Sequence, residues 1–95
     1  MVSENGITIT LEGEIDISRE FELERTLQPA QWADRATLDF SNVSFASTTL
    51  INAVVRLHNH MRKHGRAGII RIVGCKPHIK RVLTLARLDT VFEIR

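Results

Sequence analysis

The side chains best placed to do chemistry form a hydroxyl run inside FSNVSFASTTLINAVVRLHNHM, residues 40–61. Ser44, Ser47, Thr48 and Thr49 follow an apolar stretch and lead into an amphipathic one. A hydroxyl at the mouth of a helix can accept a hydrogen bond from an orphan backbone N–H and so cap the helix. It can also carry a phosphate, which would set a charge of about −1.5 to −2 beside those N–H groups and the positive end of the helix dipole. One cap does not require three consecutive hydroxyls, so both roles stay open. Other groupings offer less. His60 and His64 stand four apart, the spacing of a metal pair, but have no third ligand nearby and adjoin Arg62 and Lys63; Cys75 and His78 fall short of the four ligands of a closed zinc site. Glu12, Glu14 and Asp16 alternate along one stretch, whereas acid–base catalysis by a carboxylate pair needs two acids facing across a cleft. Solvated surface is the simpler reading of these carboxylates. Glycine-rich phosphate loops and the G-x-S-x-G elbow are missing from the sequence. These residues point to no catalytic centre, no metal and no cofactor.

The elements that must position the hydroxyls can be read from periodicity. GITITLEGEID alternates Ile7, Ile9 and Leu11 with Thr8, Thr10 and Glu12, a half-buried strand that Gly13 would end. SREFELERTLQPA predicts a first helix, capped by Ser18, with Ile17, Phe21, Leu23 and Leu27 as its apolar side and Pro29 as its close. ATLDF, residues 36–40, predicts a short second strand followed by a loop. Leu50, Ile51, Val54, Leu57, His58 and Met61 then recur at helical spacing, with Gly65 as a C-terminal stop and His58 as a partly buried core histidine. AGIIRIVG is a third strand and KPHIKRVLTLARL a third helix, with Pro77 in its first turn. TVFEI is a terminal strand, and whether residues 1–5 add an edge strand is left open. Strand and helix alternate throughout. The expected fold is therefore α/β: a single-layer, mainly parallel sheet of four to five strands with alternating helices and right-handed crossovers. In such sheets sites gather where strand carboxyl ends meet helix N-termini, and the hydroxyl run falls at such a place.

Length and composition fit this picture. Ninety-five residues make one domain, spanning residues 1–95, with a single modest core. No apolar run is long enough for a membrane span and the start lacks a signal-peptide pattern, so a cytoplasmic location and no membrane insertion are expected. The lone Cys75 cannot form an internal disulfide. The net charge of +2 hides an asymmetry: residues 1–50 carry three basic and nine acidic side chains, residues 51–95 ten and two. A basic half raises binding of nucleotide or nucleic acid, with affinity falling steeply in salt. The cations are spread through a regular pattern, there is no Tyr and aromatics are few, so solvated helix faces are the better reading and no nucleic acid partner is expected.

Three stretches, in order, resemble the STAS domain family, named for sulphate transporters and anti-sigma-factor antagonists, over almost the whole chain. LEGEIDI resembles the family's Gly-Glu-Leu-Asp segment. LDFSNVSFASTTLI resembles its strand–loop–helix, where Leu-Asp-Leu-Ser leads to Phe-x-Asp-Ser-Ser/Thr-Gly-Leu. RIVGCKPHIKRVLTLARLDTVFEI resembles its closing strand, helix and ending. An ungapped match from Phe45 sets Ser47 on the family's Asp, Thr48 on its first hydroxyl, Thr49 on the second, Leu50 on the Gly and Ile51 on the Leu. The resemblance implies a non-enzymatic regulatory module that docks an anti-sigma factor or a serine/threonine-kinase-like protein. It implies Thr48 as the phosphorylated position, ahead of Ser47 and Thr49. The docking set would be Asp16, Ser44, Ser47, Thr48, Thr49, Asn52 and Arg56. Leu50, in place of Gly, would add bulk where a partner's backbone comes close. The same fold without phosphorylation would serve as a constitutive adaptor subunit of a transporter or signalling assembly.

Overall fold

The computed structural model describes residues 6–15 and 17–94. Its order is β1 (Gly6–Ile15), α1 (Glu20–Leu27), β2 (Arg35–Ala46), α2 (Thr48–Lys63), β3 (Ile69–Val73), α3 (Pro77–Leu85) and β4 (Glu93–Ile94), with short 3₁₀ segments at Ile17–Arg19, Gln28–Trp32 and Leu88–Thr90. The four strands pair in the order β1-β2-β3-β4, every pair parallel. Each crossover steps one strand in the same direction, so crossovers of one hand deposit all helices on the same face. Burial shows that they do. Ile9 and Leu11, Ala36, Leu38 and Phe40, and Ile70 and Ile72 point to one face and are buried. Thr8, Thr10 and Arg71 point the other way and are exposed. The expected single-layer α/β sheet is what the chain forms, with four strands among the described residues.

The core joins that sheet face to Leu23 and Leu27 of α1, to Leu50, Ala53, Val54, Leu57 and Met61 of α2, and to Ile79 and Leu83 of α3. His58 packs edge-on against Phe92, and its Nδ1 is 2.9 Å from the Gly68 carbonyl, as expected of a half-buried core histidine. Helix α2 ends on a Schellman turn: the Gly65 amide donates to Arg62 O and the Arg66 amide to Met61 O, with Gly65 at φ +76°.

Several boundaries differ from the sequence expectation. Strand β2 does not stop at Phe40 but runs to Ala46, and β1 passes Gly13 to Ile15 beside it. The pairing shifts by one residue between Thr10 and Glu12 and again between Gly13 and Glu14, so β2 carries two bulges. Asp39 explains the first. Its Oδ1 accepts from the Ser41 amide at 2.9 Å and the Ser41 hydroxyl at 2.6 Å, a local turn that competes with the ladder. Buried positions accordingly switch from Phe40 to Val43, and periodicity cannot follow the strand. Phe21 is 74% exposed rather than part of the apolar side of α1. The N-cap of α1 is Arg19, without a side-chain cap bond, and not Ser18. Pro29 ends the α-helix but not the coil, since a 3₁₀ segment tolerates it near its start. Helix α3 stops at Leu85 because Arg87 takes up the left-handed conformation, φ +61°. The terminal strand shrinks to two residues.

Candidate functional site

All strands being parallel, their carboxyl ends share one rim, and α2 and α3 start there. Ser47 is the N-cap of α2: its backbone is extended and its Oγ accepts from the Thr49 amide at 3.1 Å, while its carbonyl accepts from the Leu50 amide. Thr48 is the first helical residue and is exposed; its hydroxyl makes no hydrogen bond among the described residues. Thr49 is half-buried. The three hydroxyls therefore differ, one capping, one open and one turned partly inward.

Leu50 is 1% exposed and sits in the core cluster. The expectation that it adds bulk toward a partner is corrected, because the third helical position of α2 faces the sheet. Asn52 is exposed, one turn further along. Arg56 is tied down: its Nη2 lies 2.9 Å from Glu24 Oε1 and 3.6 Å from Glu20 Oε1, pinning α2 to α1. Ser44 is exposed on the bulged end of β2. Asp16 lies outside the described residues, as do residues 1–5. Ser44, Ser47, Thr48 and Thr49 are thus brought together, with Asn52 beside them and Arg56 set back in the α1–α2 seam.

Three residues at this rim were not among the sequence candidates. The second bulge turns Phe45 outward, leaving it 51% exposed two residues before the cap. From the start of α3, His78 Nε2 is 3.2 Å from Ser44 O and donates to it, and Lys76 Nζ donates to Ser41 O at 2.7 Å. Both occupy carbonyls that the bulges leave out of the ladder. The available signal was positional: GCKPH follows a strand just as FASTT does, so topology puts the two loops side by side. The loops meet tightly. A Cβ on Gly74, at φ +69°, would stand 2.8 Å from Ser41 Cβ and 3.0 Å from its amide. The Asp39 carboxyl is held below its usual range, first by the Ser41 hydroxyl and then by the Ser41 amide. Burial pushes the half-buried Cys75 thiol up, against the pull of Lys80 and Lys76. Among the described residues no three His, Cys, Asp or Glu side chains cluster as a metal site, and His64 instead stacks on Trp32. The rim thus presents an open hydroxyl at a helix N-terminus, flanked by an exposed phenylalanine and the two bulges of β2.

A family model described as "Mlab, STAS domain" matches residues 2–94. The chain belongs to the STAS domain family. No curated protein matches it. Among solved structures it is similar to a Thermotoga maritima protein described as a candidate anti-sigma factor antagonist, with TM-score 0.81, 15% identity, and 99% of this chain and 81% of that one covered. It is similar to an anti-sigma factor antagonist from Mycobacterium paratuberculosis, with TM-score 0.79 and 20% identity over 99% and 80% of the two chains. It is also similar to the Bacillus cell fate determinant SpoIIAA in its phosphorylated form, at 0.71 and 17% over 100% and 86%. At these identities the shared property is the fold. The STAS resemblance carried by LEGEIDI, LDFSNVSFASTTLI and the closing stretch is thereby established. No helix among the described residues is long and apolar enough to cross a membrane.

Proposed function

We propose that this STAS domain is a non-enzymatic regulatory module that docks a partner protein through the rim around Thr48 and is switched by phosphorylation there. The observation that supports this most is the division of labour among the hydroxyls: Ser47 is spent on capping, Thr49 is half-buried, and Thr48 presents its hydroxyl to solvent at the first position of a 16-residue helix. A phosphate on Thr48 would stand at the positive end of the α2 dipole within this domain, while opposing an acidic or closely packed partner. Phe45, Ser44 and Asn52 extend the surface. The partner class that suits such a switch is an ATP-binding serine/threonine kinase of the anti-sigma type, which both reads and modifies the site. Phosphate mapping by mass spectrometry, after co-expression with such a kinase, tests the switch. A single phosphate on Thr48 is expected; a phosphate elsewhere, or none, contradicts it.

A second reading keeps the docking rim and drops the phosphate. Ser47 stands where the resembling motif has an acid. Its loss favours a constitutive adaptor subunit, which would co-purify unphosphorylated with the subunits of a larger assembly.

A further inference from the structure

The pole opposite the Thr48 rim gathers the amino ends of the strands and the carboxyl end of α2. Strand β2 has Arg35 at this pole and Ala46 at the rim. Twelve residues at about 3.3 Å each make it comparable with the 38 Å longest dimension of the molecule. Cations from three segments converge here. Arg62 and Lys63 close α2, are exposed and make no ion pair among the described residues. Arg66 follows the Schellman turn and reaches Asp34 at 3.7 Å, and Arg35 starts β2. The Arg62 stem packs against Gly68, where a Cβ would stand 2.8 Å from its Cγ, and the Ile69 amide donates to Asp34 O. Among the described residues the same end also holds the carboxylates of Asp34, which pairs with Arg66, and of Glu93, which pairs with Arg71. Arg62 and Lys63 suit the dipole at the end of α2, and both side chains remain exposed to solvent.

Beside them stands Trp32, 56% exposed and the only tryptophan in the chain. One face of its indole is covered by His64, with centroids 4.0 Å apart and planes 6° from parallel, and His64 Nδ1 is 3.3 Å from Gln31 O. A ring covered on one side, with no second exposed aromatic beside it, makes a poor stacking platform for bases. An amphipathic indole amid lysine and arginine is instead the pairing that suits a lipid–water interface. We propose that this pole is a peripheral docking surface for an anionic phospholipid bilayer, with Arg62 and Lys63 as the headgroup contacts and Trp32 as the interfacial anchor. Seated this way, the domain turns its Thr48 rim away from the lipid, toward a protein partner. The surface is independent of any switch at Thr48.

The sole tryptophan makes the test direct. The full chain is titrated with vesicles of phosphatidylcholine containing 30% phosphatidylglycerol, and with phosphatidylcholine alone, in low and high salt; Trp32 emission and co-sedimentation are followed together. Binding that requires phosphatidylglycerol, shifts Trp32 emission to the blue and collapses at about 0.5 M salt is expected. Lys63→Gln and Arg62→Gln should each weaken partition about fivefold, the factor for one basic side chain at an anionic surface. Lys80→Gln and Arg81→Gln remove the same charge from α3 and should leave partition unchanged. Absence of binding overturns the proposal. So do binding to phosphatidylcholine alone, unchanged Trp32 emission on binding, equal effects from the α3 variants, and retention on polyglutamate without any on vesicles.

Discussion

Replacing Ser47 by alanine removes the acceptor of the Thr49 amide and is expected to lower stability by about 1 kcal/mol, measurable by urea unfolding. Thr48→Ala, one residue on, takes away a hydroxyl with no partner among the described residues and should change stability within about 0.5 kcal/mol. That contrast between neighbours separates the capping role of Ser47 from the docking role proposed for Thr48. Leu50→Ala belongs with neither, since it empties a core position at a cost of about 2–5 kcal/mol. Asp39 provides a pH-dependent probe. Its folded pKa lies below the ordinary 3.8, so its contribution to stability is present above the unfolded value and is lost as pH falls through the folded one. An NMR titration should find its midpoint below 3.8, and Ser41→Ala should move it back up toward that value.

At the scale of elements, the junction of bulged β2 with the loop before α3 decides how well the rim is held. Gly74→Ala should be strongly destabilising, because the left-handed backbone and the Ser41 contact at 2.8 Å both oppose a side chain. Gly65→Ala, also at positive φ but with open space around it, should cost only about 1 kcal/mol. Thermal unfolding of the two variants side by side checks the difference. The elements that the sequence made legible are those with one uninterrupted period: Ile7 to Leu11, Leu50 to Met61, Ile70 and Ile72, Ile79 and Leu83. What escaped it lay where a local side-chain bond overrode the period. Asp39 and Ser41 hide six residues of strand, and the shifted register is what exposes Phe45. Phe21 shows a different limit. Its place on α1 follows from spacing, but its exposure depends on how far α2 reaches across, which tertiary packing alone sets. Likewise, nothing local in Arg56 announces its partners Glu24 and Glu20, more than thirty residues away.

For the whole molecule, the one-directional strand order has a functional consequence. It leaves one sheet face without helices among the described residues and sorts the strand ends into two poles, one with hydroxyls and bulges, the other with cations and an indole. A module so arranged can hold something at each end without a moving part, and a phosphate on Thr48 would act at one pole only. Docking of a protein partner at the Thr48 rim, as proposed, is measured most directly by isothermal titration of the co-purified partner against the wild type, Thr48→Asp and Lys63→Gln. At least tenfold weaker binding is expected for Thr48→Asp and no change for Lys63→Gln. Equal affinity of Thr48→Asp and wild type would rule out docking at this rim.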